Sequence, residues 1–83
     1  MSDKEPTMTK RIEPFYRLLG ARVEHIRVAL GWTQKELADK IGLQRTSIVN
    51  IEAGRQRILA HDVEKLAAAF GVSPKQLLRG IWT

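Results

Sequence analysis

A chain of 83 residues holds one small domain and not two, and with no cysteine it has neither a disulfide framework nor a thiolate metal site, so packing alone must stabilise it. No apolar run approaches the ~20 residues that a membrane-spanning helix needs, and the start MSDKEPTMTK lacks the basic-then-apolar order of a secretory signal, which points to a cytoplasmic protein with no membrane association. The 14 Lys and Arg against 9 Asp and Glu leave a net charge of +5, a balance that favours a polyanionic partner.

Residues 1–13 carry Pro6 and little apolar periodicity and are expected to form a flexible N-terminal arm, ahead of a domain spanning 14–83. The first helix is predicted from about Pro14, well suited to a first helical position, to Leu30. Its apolar stripe is Phe15, Leu18, Leu19, Val23, Ile26 and Leu30. Gly20 sits inside that stripe, where it costs about 1 kcal/mol relative to alanine and suits a close helix approach. Gly31, Gly42, Gly54, Gly71 and Gly80 each follow an apolar-periodic segment and read as helix stops, so five short helices and an all-α fold are expected.

The second helix has a strong start signal. Thr33 and Glu36 stand at the two ends of a capping box, and Trp32 and Leu37 at the positions of a hydrophobic staple. Leu37, Ala38 and Ile41 form its inner face, and Gly42 ends it after little more than two turns. Leu43 and Ile48 repeat the staple spacing around Gln44, so a third helix begins there and runs to Ala53. Two short helices meeting at one glycine match a helix-turn-helix, whose helices cross at ~90–120°. Val63, Leu66, Ala67 and Phe70 give a fourth helix its inner stripe, with Asp62 and Glu64 favourably near its N-terminus. Ser73, Pro74 and Gln76 mark a fifth as N-cap, first residue and capping-box partner, with Val72 and Leu77 as its staple.

From Gln34 to Glu52 the chain resembles the helix-turn-helix of the phage repressor and Cro-like, or XRE, family. The small Ala38, the turn glycine Gly42, the inner Leu37, Ile41 and Leu43, the anchors Ile48 and Ile51 and the ending IEAG carry the resemblance. It implies a compact five-helix, lambda-repressor-like domain over about Phe15 to Gly80. It also implies that Glu52 pairs with Arg27 at the end of the first helix.

With Ile48 and Ile51 inward, the helical period turns Arg45, Thr46, Val49 and Asn50 partly or wholly outward. Arginine grips guanine O6 and N7 with two donors, asparagine pairs with adenine N6 and N7, and the methyl groups of threonine and valine suit a thymine methyl. The resemblance places base-reading residues at these positions, with Arg45, Thr46 and Asn50 leading. Gln44, a weaker cap than Ser, Thr or Asp, trades capping strength for a DNA contact. The bland alternative is a solvated polar face. Phosphate candidates are Gln34 at the start of the second helix, Ser47, and Arg55, Gln56 and Arg57 in the loop that the resemblance sets beside the groove, with help from Lys35 or Lys40. Lys40, Arg45, Arg55 and Arg57 stand against Glu52 alone between positions 40 and 57.

His25 and His61 lack neighbours at metal-site spacing, and neither a nucleophile motif nor a glycine-rich phosphate loop is present, so no enzymatic activity, metal or cofactor is expected. The expected partner is double-stranded DNA. Repressors of this kind bind inverted half-sites as symmetric dimers, their recognition helices ~34–36 Å apart. A chain ending at Thr83 leaves no sensing domain, so control is expected from concentration, dimerisation or another protein. Ile81 and Trp82 are candidates for the homodimer contact, or for a tail tucked onto its own core. A bacterial or phage-encoded transcriptional regulator is the resulting expectation: a prophage repressor, restriction-modification controller or antitoxin-like autoregulator. A module of the same fold that binds another protein is the alternative.

Overall fold

Two helix starts in this chain follow from side chains that satisfy the free N–H groups of a first turn. In the computed structural model, which describes residues 4–81 and side chains from Pro14 onward, Thr33 Oγ1 accepts from the Glu36 N–H at 3.0 Å. Glu36 Oε1 in return accepts from the Thr33 N–H at 2.7 Å. Ser73 and Gln76 repeat the exchange at 3.0 and 2.9 Å. Such caps each contribute about 1 kcal/mol. The resulting elements are α1 (Lys4–Ala29), α2 (Gln34–Ile41), α3 (Arg45–Glu52), α4 (Ala60–Phe70) and α5 (Pro74–Leu77), with no strand among the described residues.

Two sequence expectations are corrected. First, α1 starts at Lys4 rather than about Pro14. Pro6 falls in the first turn, where a missing N–H costs nothing. Pro14 forfeits one interior bond, but the strong helix formers around it carry the helix through. Second, Leu18 and Leu30 lie outside the core at 54% and 45% exposure. Leu18 points away from the Leu19–Val23 face, and Leu30 follows the last turn of α1. Of the two alternatives for the tail, the described part takes the second: Ile81 is only 9% exposed and belongs to the protomer's own core. Trp82 lies outside the described residues.

The core gathers Leu19 and Val23 of α1, Leu37, Ala38 and Ile41 of α2, Ile48 and Ile51 of α3, Leu66, Ala67 and Phe70 of α4, and Leu77 of α5. Complete burial of a leucine or isoleucine contributes ~1.5–3 kcal/mol, so the fully buried Leu37 and Ile48 fasten α2 and α3 to the rest. Trp32 stacks on Phe70 with centroids 6.0 Å apart, joining the start of α2 to the end of α4. Helix α3 packs on both α1 and α2. Its approach to α1 is very close: a Cβ on Gly20 would lie 2.0 Å from the Ile51 carbonyl oxygen. Alanine's helix-forming advantage is forgone there for close packing.

Candidate nucleic-acid interface

The corner between α2 and α3 is built on one carbonyl. Gly42, at φ 74° and ψ 27°, turns the chain left-handed so that its N–H points back to the Ala38 oxygen, and the Leu43 N–H reaches the same oxygen at 2.9 Å. A residue with a side chain would carry strain in that backbone region, and glycine does not. Leu43 then packs against the core, and α3 emerges at once from Gln44. The N-cap geometry of Gln44 is extended, but its side chain makes no cap hydrogen bond. That amide is exposed and uncommitted to the helix.

Burial divides α3 as the period requires. Ile48, Ile51 and Glu52 are inside, while Gln44, Arg45 and Thr46 are exposed and Val49 and Asn50 half-buried. All five reader candidates therefore reach solvent, and Thr46 and Asn50, four residues apart, share one ridge.

Beneath this face lies a charged network. Glu52, 9% exposed, accepts from Arg27 Nε at 2.6 Å, from Arg27 Nη2 at 3.0 Å and from Gln34 Nε2 at 3.1 Å. Arg27 Nη1 donates to the Trp32 carbonyl at 2.8 Å. The two-donor pair expected from the resemblance is thus present, with side chains 11% and 4% exposed. Its hydrogen bond to Glu52 raises the Arg27 pKa above the usual guanidinium value, against the opposing effect of burial. One end of α1 is tied to the end of α3 and, through Gln34, to the start of α2.

The phosphate candidates separate into groups. Gln34 is half-buried and turned to Glu52, which leaves part of its amide for other partners. Lys35 pairs with Asp39 at 3.1 Å on the open surface of α2. Lys40 sits 4.5 Å from the centre of the Trp32 ring and lines, with Lys65 of α4, a hollow between α2 and α4. It is thereby drawn toward the α4 side of α2, beside Lys65. Ser47 is half-buried, and Gln56 and Arg57 are exposed beyond Gly54. Arg55 Nη1 approaches Asn50 Oδ1 at 3.4 Å. Arg45, Arg55 and Arg57 have no acidic partner among the described residues. With Glu52 committed to Arg27, the α3 side carries uncompensated positive charge.

Sequence reading misses three interactions here. Arg22 donates to the carbonyls of Leu77 and Arg79, each at 3.0 Å, and so fastens the end of α5 to α1. Arg17 packs under Gly54 so tightly that a Cβ there would lie 2.8 Å from the Arg17 Cα. The Asn50–Arg55 hydrogen bond is the third. The first two join segments more than 35 positions apart, for which local spacing has no signal. The third follows a glycine helix stop, a signal that is present in Gly54.

Residues 23–77 match the Helix-turn-helix family. The chain is 43% identical over 61 residues to a hypothetical transcription factor of Neisseria meningitidis, covering 74% of this chain and 58% of that protein, so it spans little more than half of that relative. It is 39% identical over 62 residues to the control protein C.BamHI of Bacillus amyloliquefaciens, covering 74% and 76% of the two chains. The fold is similar to the restriction-modification controller C.AhdI of Aeromonas hydrophila, with a TM-score of 0.71, 31% identity, and 75% and 90% of the two chains covered. No helix among the described residues is long and apolar enough to cross a membrane. The α2–Gly42–α3 corner, the buried Arg27–Glu52 pair and these matches together place the chain in the XRE-type helix-turn-helix family, whose members are DNA-binding transcription regulators rather than enzymes.

Proposed function

We propose that this protein is a sequence-specific transcription regulator, a repressor or autoregulator that binds an inverted-repeat operator as a homodimer in the cytoplasm. Helix α3 enters the major groove. Arg45, Thr46 and Asn50 read base edges, with Gln44 and Val49 beside them. Arg57, Gln56 and Ser47 grip phosphate, joined by Gln34 with the backbone N–H groups at the start of α2. Lys35 and Lys40 are secondary, because one is paired with Asp39 and the other faces Trp32. The observation that carries this reading is a short helix set at a glycine corner, with Arg45 on it and Arg55 and Arg57 just beyond it, none with an acidic partner among the described residues, and with its one carboxylate buried.

With Ile81 inside the core, the dimer contact is assigned to another face. A groove of about 400 Å³ opens between α1, α4 and α5, with Tyr16, Ile58, Val63, Pro74 and Leu78 giving it a mainly apolar lining and Glu64 a charged group within it. Leu59, 68% exposed, projects from the loop segment that helps to line it. A second copy covering that apolar surface is the proposed arrangement.

The test is selection of bound duplexes from a random DNA library by the full chain. An enriched motif with two-fold symmetry is expected. Recovery of no motif would favour the alternative reading, a module that binds protein through the same fold.

A further inference from the structure

The sequence assigns Asn50 to adenine and Arg55 to phosphate, as separate residues with separate tasks. The backbone joins them. Gly54, at φ 72°, reverses the chain at the end of α3 so that its N–H meets the Ile51 carbonyl at 3.0 Å and the Arg55 N–H meets the Asn50 carbonyl at 2.9 Å. Arg17 beneath Gly54 leaves no room for a Cβ, at 2.6 Å from its Cγ and 2.8 Å from its Cα, so the reversal is held from below. From this anchored position Arg55 Nη1 donates to Asn50 Oδ1 at 3.4 Å. Asn50 is half-buried and Arg55 exposed, which puts the pair at the solvent edge of α3, one turn beyond Thr46.

We infer that Asn50 and Arg55 act as one donor-rich reading unit that selects guanine, which makes Arg55 a specificity-determining residue. The inference rests on the proposed entry of α3 into the major groove. Two-point recognition of adenine needs the asparagine oxygen to accept from N6 while its nitrogen donates to N7. In this protein a guanidinium occupies the oxygen side of the amide. Of the groups this contact leaves free, the Asn50 Nδ2 hydrogens and the remaining N–H groups of Arg55 are donors, against one lone pair of the Asn50 oxygen beside the guanidinium. Guanine presents two acceptors, N7 and O6, in the major groove, whereas adenine presents one acceptor beside the N6 donor. That donor would meet the guanidinium N–H groups and be left without a partner. An unmatched donor at such a position is the kind of penalty that separates one base from another.

The experiment takes the consensus duplex selected from the random library and its single-base variants, and titrates them with the intact protein, Asn50→Ala, Arg55→Ala and the double variant. Circular dichroism melts confirm that each is folded. Asn50→Ala and Arg55→Ala are each expected to lose roughly tenfold preference for guanine at the same base pair, and the double variant to lose no more there than either single one. Arg55→Ala, its asparagine oxygen released, is expected to gain adenine at that pair. Arg55→Ala weakening every sequence alike, additively with Asn50→Ala, would overturn the unit and return Arg55 to phosphate while leaving α3 as the reader. A preference for adenine at that pair in the unaltered protein would also overturn it. If neither Asn50→Ala nor Arg45→Ala changes base preference anywhere, the unit and the reading by α3 both fall.

Discussion

Arg45 and Arg57 carry the same charge and are expected to behave differently, because one faces out from the first turn of α3, the proposed reading helix, and the other lies in the loop beyond it. Arg45→Ala should lose about 1–3 kcal/mol of binding at one base pair of each half-site and relax selection there. Arg57→Ala should weaken all duplexes comparably and reduce the slope of log K against log salt by about 0.9 for each phosphate that is no longer neutralised. Lys40→Ala, by contrast, should leave that slope unchanged, since its ammonium lies against Trp32. Titration of each variant against an operator panel at several salt concentrations distinguishes these patterns; a smaller slope for Lys40→Ala would return that lysine to the DNA. Glu52 is a residue of the scaffold. Glu52→Gln leaves Arg27 buried without a counter-charge, at a cost of about 3–5 kcal/mol, so thermal melting should fall by more than about 10 °C. An unchanged melting temperature with abolished DNA binding would move Glu52 to the reading surface. The raised pKa of Arg27 means that its share of this stability is complete below the ordinary guanidinium value and is lost only as the pH climbs through the higher folded value. Neutral pH does not reach it.

Among the elements, α1 and α3 depend on opposite treatments of local propensity. Gly20 in mid-helix is unfavourable by about 1 kcal/mol relative to alanine, yet Gly20→Ala is expected to destabilise strongly, because its Cβ would lie 2.0 Å from the Ile51 oxygen of α3. Gly42→Ala meets no atom within 4 Å, and its cost should be limited to about 1–2 kcal/mol for holding a left-handed backbone. Urea denaturation of the two variants gives the order: the larger loss belongs to the helical position. If Gly20→Ala proves the milder change, the two helices do not approach as closely as described. Helix α3 invites the reverse experiment. Its N-cap Gln44 makes no side-chain cap, so Gln44→Ser should stabilise the fold by about 1 kcal/mol. Reduced DNA affinity in that more stable variant would identify Gln44 as a DNA-contacting residue, and unchanged affinity would remove it from the reading surface.

For the whole molecule, the proposed dimer places the apolar groove of α1, α4 and α5 between two copies. Leu59→Ser with Leu78→Ser should yield a monomer in equilibrium sedimentation while retaining a cooperative melt. A dimer of unchanged mass would reject this face. Ile81→Ser should act differently, lowering stability by about 2–5 kcal/mol as a core truncation, because Ile81 is buried in its own protomer. Loss of pairing weakens operator binding at both half-sites together, since two linked modules bind far more tightly than either alone. The monomeric variant should therefore bind a single half-site about as well as the intact chain does, and the full operator much less well.

Where α2, α3 and α5 start, where α2 stops and which of their residues face inward were legible from the chain alone: Thr33 with Glu36, Ser73 with Gln76, the stop at Gly42, and Ile48 with Ile51 are all where local spacing predicts them. Those signals are complete within about one helical turn, because a cap or a staple joins residues three to five positions apart. The Arg27–Glu52 pair was legible only through family resemblance. Tertiary structure alone decided that Leu18 stays outside, that Ile81 goes in, that Lys40 lies over Trp32 and that Gln34 answers to Glu52. Each outcome depends on what a neighbouring element presents. A short sequence window contains the period of a helix, but not the surface against which that helix comes to rest.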